Sequence, residues 1–599
     1  MMAPAALQRY AQPMGFLQRL MGFSRLSKAR CVFFFSFFLV GWAHAVEEPA
    51  TSAADSTAPY SNILPGDYVG PQVCGECHED NYALWQDHPH SKMNALASAE
   101  TVLGDFSGVE LEYGGGRAVF SREGPDFVVE YFRGGKSERK FKVMRVIGWR
   151  YEQNYVAVQV EGPEPPDDLL YREEIRLRFS YSLDKQRWFP QSYMEPTEYQ
   201  GAEYLANGTL RYDPFEPDRV SFNKRCSRCH NTYPYDLRLY KMYTENGMLS
   251  GFPPGPGLSP QVVKELARVQ GDLDLLGKED LPVERFVTVG ISCESCHFGG
   301  REHAENARDI RFVPTHPLLE KWTPEHEGAR EKADIVNAIC RQCHHSGISA
   351  EDNWPDGSAS VNSMEAVEMD RGACQGELRC THCHSTHEGG PEAGAEDRQE
   401  HIDACLSCHG ELEEEAAQRA HSRHETELVS CLDCHMPRIV QGFKVYNRTH
   451  RISSPNEPHI LATGMPNACN LCHLDKSLVW ARDELEKGWG QRVELSPLLA
   501  KLFGPGLKAA TGEAWLQHPF SMARTVAAGA YARSDLGTAA LPKLIEHLSE
   551  DNAYVRTRFL QDVEQILGRE LTREEYDVMS TPAERKRQVD NLLKKRIKK

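Results

Sequence analysis

The chain has almost no cysteine to spare. Of its 18 cysteines in 599 residues, sixteen fall in eight copies of one five-residue motif. Cys31 sits in an N-terminal apolar run and Cys374 stands alone, so no internal disulfide is available to an exported product. Long hydrophobic runs are scarce as well. Cys31–Val40 is too short to span a bilayer as a stable helix, and no second apolar stretch reaches membrane length. A basic surplus is missing: 86 Asp and Glu outweigh 68 Lys and Arg, for a net charge of −18. That opposes nucleic-acid binding and favours basic or neutral partners. Between Cys226 and Lys476 there is little helical or strand periodicity, so side-chain patterning alone does not supply a core there.

What is abundant is Cys-x-x-Cys-His. The copies are Cys74, Cys77 and His78; Cys226, Cys229 and His230; Cys293, Cys296 and His297; Cys340, Cys343 and His344; Cys380, Cys383 and His384; Cys405, Cys408 and His409; Cys431, Cys434 and His435; and Cys469, Cys472 and His473. Two thiols three positions apart reach the two vinyl groups of one porphyrin, and the His that follows is held under the ring as an axial iron ligand. A zinc knuckle or a redox dithiol explains Cys-x-x-Cys but has no need of His directly after it. The expected cofactor is haem c, eight copies, covalently attached.

The N-terminus agrees with export. Arg9, Arg19, Arg25, Lys28 and Arg30 precede the apolar core, and Ala43-His44-Ala45 gives a small-x-small cleavage signature. Residues 1–45 read as a signal peptide and 46–69 as a linker, with a periplasmic or otherwise extracytoplasmic destination. A first haem segment covers 70–100. Period-two alternation then runs from about Val102 to Met194. Ile175, Leu177, Phe179 and Tyr181 share one face, Val156, Val158 and Val160 do the same, and Gly114–Gly116 and Gly134-Gly135 mark turns. This predicts a small antiparallel β insertion over 101–215. Seven motifs occupy 216–480, a segment expected to be short helices and loops wrapped around haem. Beyond it, 481–599 carries amphipathic helices at Ser521–Tyr531, Leu541–Leu548 and Ala553–Leu567, with Thr538 and Thr581 as N-caps. Arg524 and Arg556 occupy similar places in two of these, which reads as a HEAT-like repeat. The fold class expected is mixed: mostly α and irregular, with a β insertion and an α-helical C-terminal region.

Several segments resemble soluble multihaem cytochromes related to the tetrahaem cytochrome of nitrifying bacteria. They are CGECHEDNYALWQDHPH (Cys74–His90), CESCHFGGREH (Cys293–His303, with Phe298 where the family has Gly), ACQGELRCTHCHSTH (ending at His387), HSRHETELVSCLDCHMP (His421–Pro437) and the stretch His450–His473. The resemblance implies His90, His303, His387, His421 and His450 as distal ligands, with His401, His424, His88 and His345 in reserve. His518 and His547 lie in the helical tail and are not expected to ligate iron.

Motif two differs. No histidine outside the motifs lies between His90 and His303, and the neighbourhood holds Lys224, Tyr233, Tyr235, Tyr240, Lys241 and Tyr243. An open iron beside tyrosines and cations suits reduction of a small anion. The first reading is an electron relay through eight haems, serving redox protein partners or a membrane quinol-oxidising complex, with docking through the helical end. The alternative is an octahaem oxidoreductase acting on a small nitrogen or sulfur compound at haem two, with Lys224, Tyr233 and Tyr235 as catalytic candidates.

Overall fold

The computed structural model describes residues 60–191, 203–206, 210–238, 285–317, 333–345, 353–355, 357–388, 398–442, 446–455 and 458–597. Residues 1–45, read as a signal peptide, most of the 46–69 stretch read as a linker, and Tyr240, Lys241 and Tyr243 lie outside them. Among the described residues the fold is mixed, and no helix is long and apolar enough to cross a membrane.

The tether expected up to residue 69 gives way earlier to packed chain. Asn62 and Ile63 are fully buried. The Asn62 amide donates to the Val313 carbonyl and its oxygen accepts from the Thr315 amide. A buried amide matched on both sides belongs to the folded body, not to a linker.

The sheet is a meander. Its strands are β1 (Asn94–Leu96), β2 (Val109–Tyr113), β3 (Gly116–Glu123), β4 (Asp126–Arg133), β5 (Lys136–Ile147), β6 (Glu152–Glu161), β7 (Ile175–Ser182) and β8 (Arg187–Pro190). They run in the order β2-β3-β4-β5-β6-β7-β8, and β1 pairs with β5. Gly114-Gly115 and Gly134-Gly135 turn two of the hairpins with positive φ at both positions, the twist that joins right-handed strands tightly. Register shifts along β5 and β6 bend the sheet toward a barrel. Phe120 of β3 stacks on Trp188 of β8 at 3.6 Å and 7°, across the core. Ile175, Leu177, Phe179 and Tyr181 line that core as the alternation implies. In β6 the face toward that core is Tyr155 and Ala157, and Val156, Val158 and Val160 share the other, with Val160 47% exposed.

Between Cys226 and Cys472 the chain forms helices of four to nine residues and short two-residue bridges. The C-terminal end is longer and regular: Leu478–Trp489, Thr511–Leu516, Ser521–Ala532, Gly537–Glu546, Ala553–Leu567 and Pro582–Ile597. Val555, Phe559 and Val563 are buried in its core, and Ile566 and Leu567 pack against it. Thr581 caps the last helix, its hydroxyl accepting from the Glu584 amide at 3.4 Å. Thr538 does not cap: its helix begins at Gly537. The helical end packs on the sheet through Tyr113 and Phe189. Buried Glu203 accepts from the Tyr113 hydroxyl and from Arg556 and pairs with Arg585, which ties the two regions by charge.

Candidate functional site

Each motif is folded as about one helical turn. The amide of the motif His donates to the carbonyl of the first Cys at 2.9 to 3.1 Å in the copies starting at Cys74, Cys293, Cys340, Cys380, Cys405 and Cys469. Residues i, i+3 and i+4 of a turn share one face, so both thiols and the imidazole point the same way. That is the arrangement a porphyrin edge and an axial ligand require.

Facing the motif imidazoles are others. His78 and His303 stack with ring centres 6.1 Å apart, as do His297 and His387 at 6.1 Å, and His435 and His421 at 6.1 Å. His384 faces His450 at 6.2 Å, and His344 meets His90 at 6.4 Å with the rings at 67°. Two metal–nitrogen bonds of about 2.0 Å each, plus the distance from nitrogen to ring centre on either side, span roughly 6 Å. The separations therefore fit one iron between each pair. All five histidines singled out by the resemblance stand opposite a motif His.

One pairing was only in reserve from sequence. His424 lies 6.1 Å from His473. Its helix, Glu415–Ser422, ends at Arg423 in the left-handed region with φ 60°. The corner sends His421 toward His435 and His424, three residues later, toward a different motif. Even spacing in His-x-x-His suggests one face; only the reversed backbone separates them. His401, also in reserve, sits 5.9 Å from His384, edge-on, and its Nε2 is bonded to the Cys383 carbonyl. His88 accepts from the His90 amide through Nδ1 and holds that loop. His345 bonds the Arg341 carbonyl.

The surroundings fix these rings. Nδ1 of His303 lies 2.7 Å from the Arg308 carbonyl, Nδ1 of His424 2.7 Å from Ser422, and Nδ1 of His435 2.9 Å from Ser453. An Nδ1 occupied this way carries the proton and leaves Nε2 free for metal. Glu294, inside motif three, is buried and accepts from the amides of Val69, Gly70 and Gly300, which clamps the approach to motif one against motif three. Phe298 adopts φ 56°, a conformation that favours glycine. The family's Gly thus has a backbone reason. Here the strain is offset by packing, since Phe298 is buried edge-on to Tyr235 at 5.3 Å.

Motifs two and six stand apart. Among the described residues no imidazole faces His230 or His409 at such a distance. His230 is enclosed, and burial pushes its pKa down. Tyr233 and Tyr235 are buried beside it in sequence; burial pushes both phenols well up. Arg238 lies over the Tyr233 ring at 4.8 Å and donates to the carbonyls of Gln342 and Arg228. Lys224 is exposed on the Phe222–Arg225 turn, so the three catalytic candidates are not equally enclosed. Arg238 was not singled out from sequence, where an Arg eight residues past a motif carries no signal.

The attachment segments also touch one another. The thiols of Cys74 and Cys293, of Cys229 and Cys343, of Cys340 and Cys380, and of Cys405 and Cys431 lie close together. Cys296 lies near Cys340, Cys383 near Cys405, and Cys434 near Cys469.

Residues 409–495 match the cytochrome c552 family. No curated protein sequence matches the chain. Among solved structures it is similar to the outer cell wall cytochrome OcwA, with 13% identity over 87% of this chain and 100% of that one and a TM-score of 0.37. It is also similar to the octahaem sulfite reductase MccA of Wolinella succinogenes, with 13% identity over 85% and 84% and a TM-score of 0.30. With a family match lying across the last two attachment motifs and the same motif repeated along the rest of its length, the chain belongs with the multihaem c-type cytochromes, proteins of electron transfer.

Proposed function

We propose that the protein is an extracytoplasmic octahaem electron relay, with all eight motifs loaded. Haem c bound at these motifs supplies one-electron redox chemistry. The observation that carries the reading is the set of opposed imidazoles: His78/His303, His297/His387, His344/His90, His384/His450, His435/His421 and His473/His424. At these six motifs two histidines per iron would leave no vacant position, as a carrier requires. Segment contacts give a path: motif one to three, three to four, four to five, then six, seven and eight, with motif two joined to four.

Partners are redox proteins, basic or neutral given the net charge of −18. The helical end is read as a short HEAT-like repeat suited to docking one of them. Arg524 donates to the carbonyls of His518 and Pro519, and Arg556 to those of Glu550 and Asp551, the same six and five positions back. That equivalence supports a repeated unit.

A second reading has one observation behind it. Tyr233 and Arg238 are buried near Cys229 of motif two, and among the described residues no imidazole stands opposite His230. An open iron there, beside a phenol and a guanidinium, suits turnover of a small nitrogen or sulfur oxyanion. Electron paramagnetic resonance of the oxidised protein, with haem counted against protein, decides between them. Eight low-spin haems support the relay. A stoichiometric high-spin haem altered by nitrite, hydroxylamine or sulfite supports the enzyme.

A further inference from the structure

We propose that Glu365 is a positioning residue that lowers the reduction potential of the haem held by His344. The inference rests on the reading above, in which His344 ligates iron. Glu365 places Oε2 3.2 Å from Nδ1 of His344. Its other oxygen accepts from the Ser363 amide at 2.9 Å. The next residue, Ala366, donates its amide to the His344 carbonyl at 3.2 Å. One short helix, Glu365–Asp370, therefore grips both the ring and the backbone of His344.

The partner is what sets this histidine apart. His303, His424 and His435 turn Nδ1 to neutral carbonyls. His409 has a carboxylate, Glu411, but at 3.4 Å and on a residue 70% exposed, where water screens it more than Glu365, which is 28% exposed beside a half-exposed His344. A fixed carboxylate draws the Nδ1 proton harder than a carbonyl does. The imidazole becomes the stronger donor through Nε2, and the more highly charged, oxidised iron is favoured. Position gives the effect weight. The motif of His344 touches those of His230, His297 and His384, through Cys343 with Cys229, Cys340 with Cys296, and Cys340 with Cys380. A low potential at that junction makes it a step that electrons cross and do not rest on.

The test is Glu365→Gln in the full haem-loaded protein. Gln keeps the length and an accepting oxygen but removes the charge. Optical potentiometric titration should show one midpoint moving to more positive potential, with the haem-to-protein ratio unchanged, and Glu365→Asp should move it part of the way back. Midpoints that all stay in place in a fully loaded Glu365→Gln protein overturn the proposal. Failure of the underlying reading looks different. It would appear in the unmutated protein as too few haems, or too few low-spin ferric signals, and would take the proposal with it.

Discussion

The sheet and the motif segment bury themselves by different means. In the sheet, Phe106, Phe120, Tyr155, Phe179 and Trp188 make a continuous aromatic core from their own side chains. Among the described residues from Cys226 to Cys472 the α-helices are four to nine residues long, too short to be stable without tertiary packing. What packs them is proposed to be porphyrin, attached through the motif cysteines. One region is thus specified by amino acids alone; the other needs its cofactor to have an interior. The largest effect that would break this comparison is haem removal. A chain expressed without haem attachment should lose amide protection through the motif segment while β2–β8 keep theirs in hydrogen exchange. Equal loss in both regions would mean that the sheet depends on haem too.

A core substitution tests the same contrast from the other side. Trp188 stacks on Phe120 and its indole donates to the Asp105 carbonyl at 2.9 Å. Trp188→Ala should cost about 3–5 kcal/mol, seen as an early unfolding step in calorimetry. Because the motif segment has its own source of cohesion, the haem absorption bands should not change below that step. A shift of the haem bands with the sheet transition would show the two regions to be one cooperative unit.

Buried charge in the helical end gives a pH-dependent prediction. Asp562 is enclosed near Arg558 and Arg533; burial outweighs their attraction and pushes its pKa from 3.8 up to about 7. The unfolded chain releases this proton near pH 4, the folded one holds it to about pH 7. In that window the folded state binds more protons, so stability falls as pH rises. The loss is absent below about pH 4 and complete above about pH 7. Each unit of separation is worth roughly 1.4 kcal/mol, before any relaxation around the charge. Asp562→Asn should remove this slope, so that melting curves of variant and parent diverge between pH 4 and 7 and run parallel above. Identical slopes would mean that Asp562 ionises normally.

The sequence is most legible where structure is local. A motif of five residues defines its own turn, so every proposed attachment site is visible without the fold. The Gly-Gly hairpins and the Ile175–Tyr181 face are local in the same sense. The opposed histidines are not: His90 reaches His344 and His303 reaches His78 across hundreds of positions, and only family resemblance pointed to them. His424 was ranked below His421 because spacing cannot reveal a left-handed corner at Arg423. Glu365 was invisible, since nothing local ties an acid twenty-one residues downstream to a motif His.

The smallest effects lie where two equivalent residues differ only in burial. Arg524 and Arg556 reach back to the same carbonyls of the turns before their helices. Arg556 is fully buried and meets Glu203, which is itself 5% exposed, whereas Arg524 is 15% exposed and grips Glu550 with two nitrogens at 2.8 and 2.9 Å. Arg556→Met strands part of a buried carboxylate. Arg585 stays at 3.2 Å from Glu203, so the cost should fall at the low end of buried-pair losses, about 3 kcal/mol. Arg524→Met breaks the same backbone pattern, but Glu550 keeps His547 at 2.9 Å and gains water, so about 1–2 kcal/mol is expected. Denaturant midpoints of the two variants separate the cases. Equal losses would assign the stability of these arginines to the shared carbonyl contacts; a larger loss at Arg556 assigns it to the buried charge that ties the helical end to the sheet.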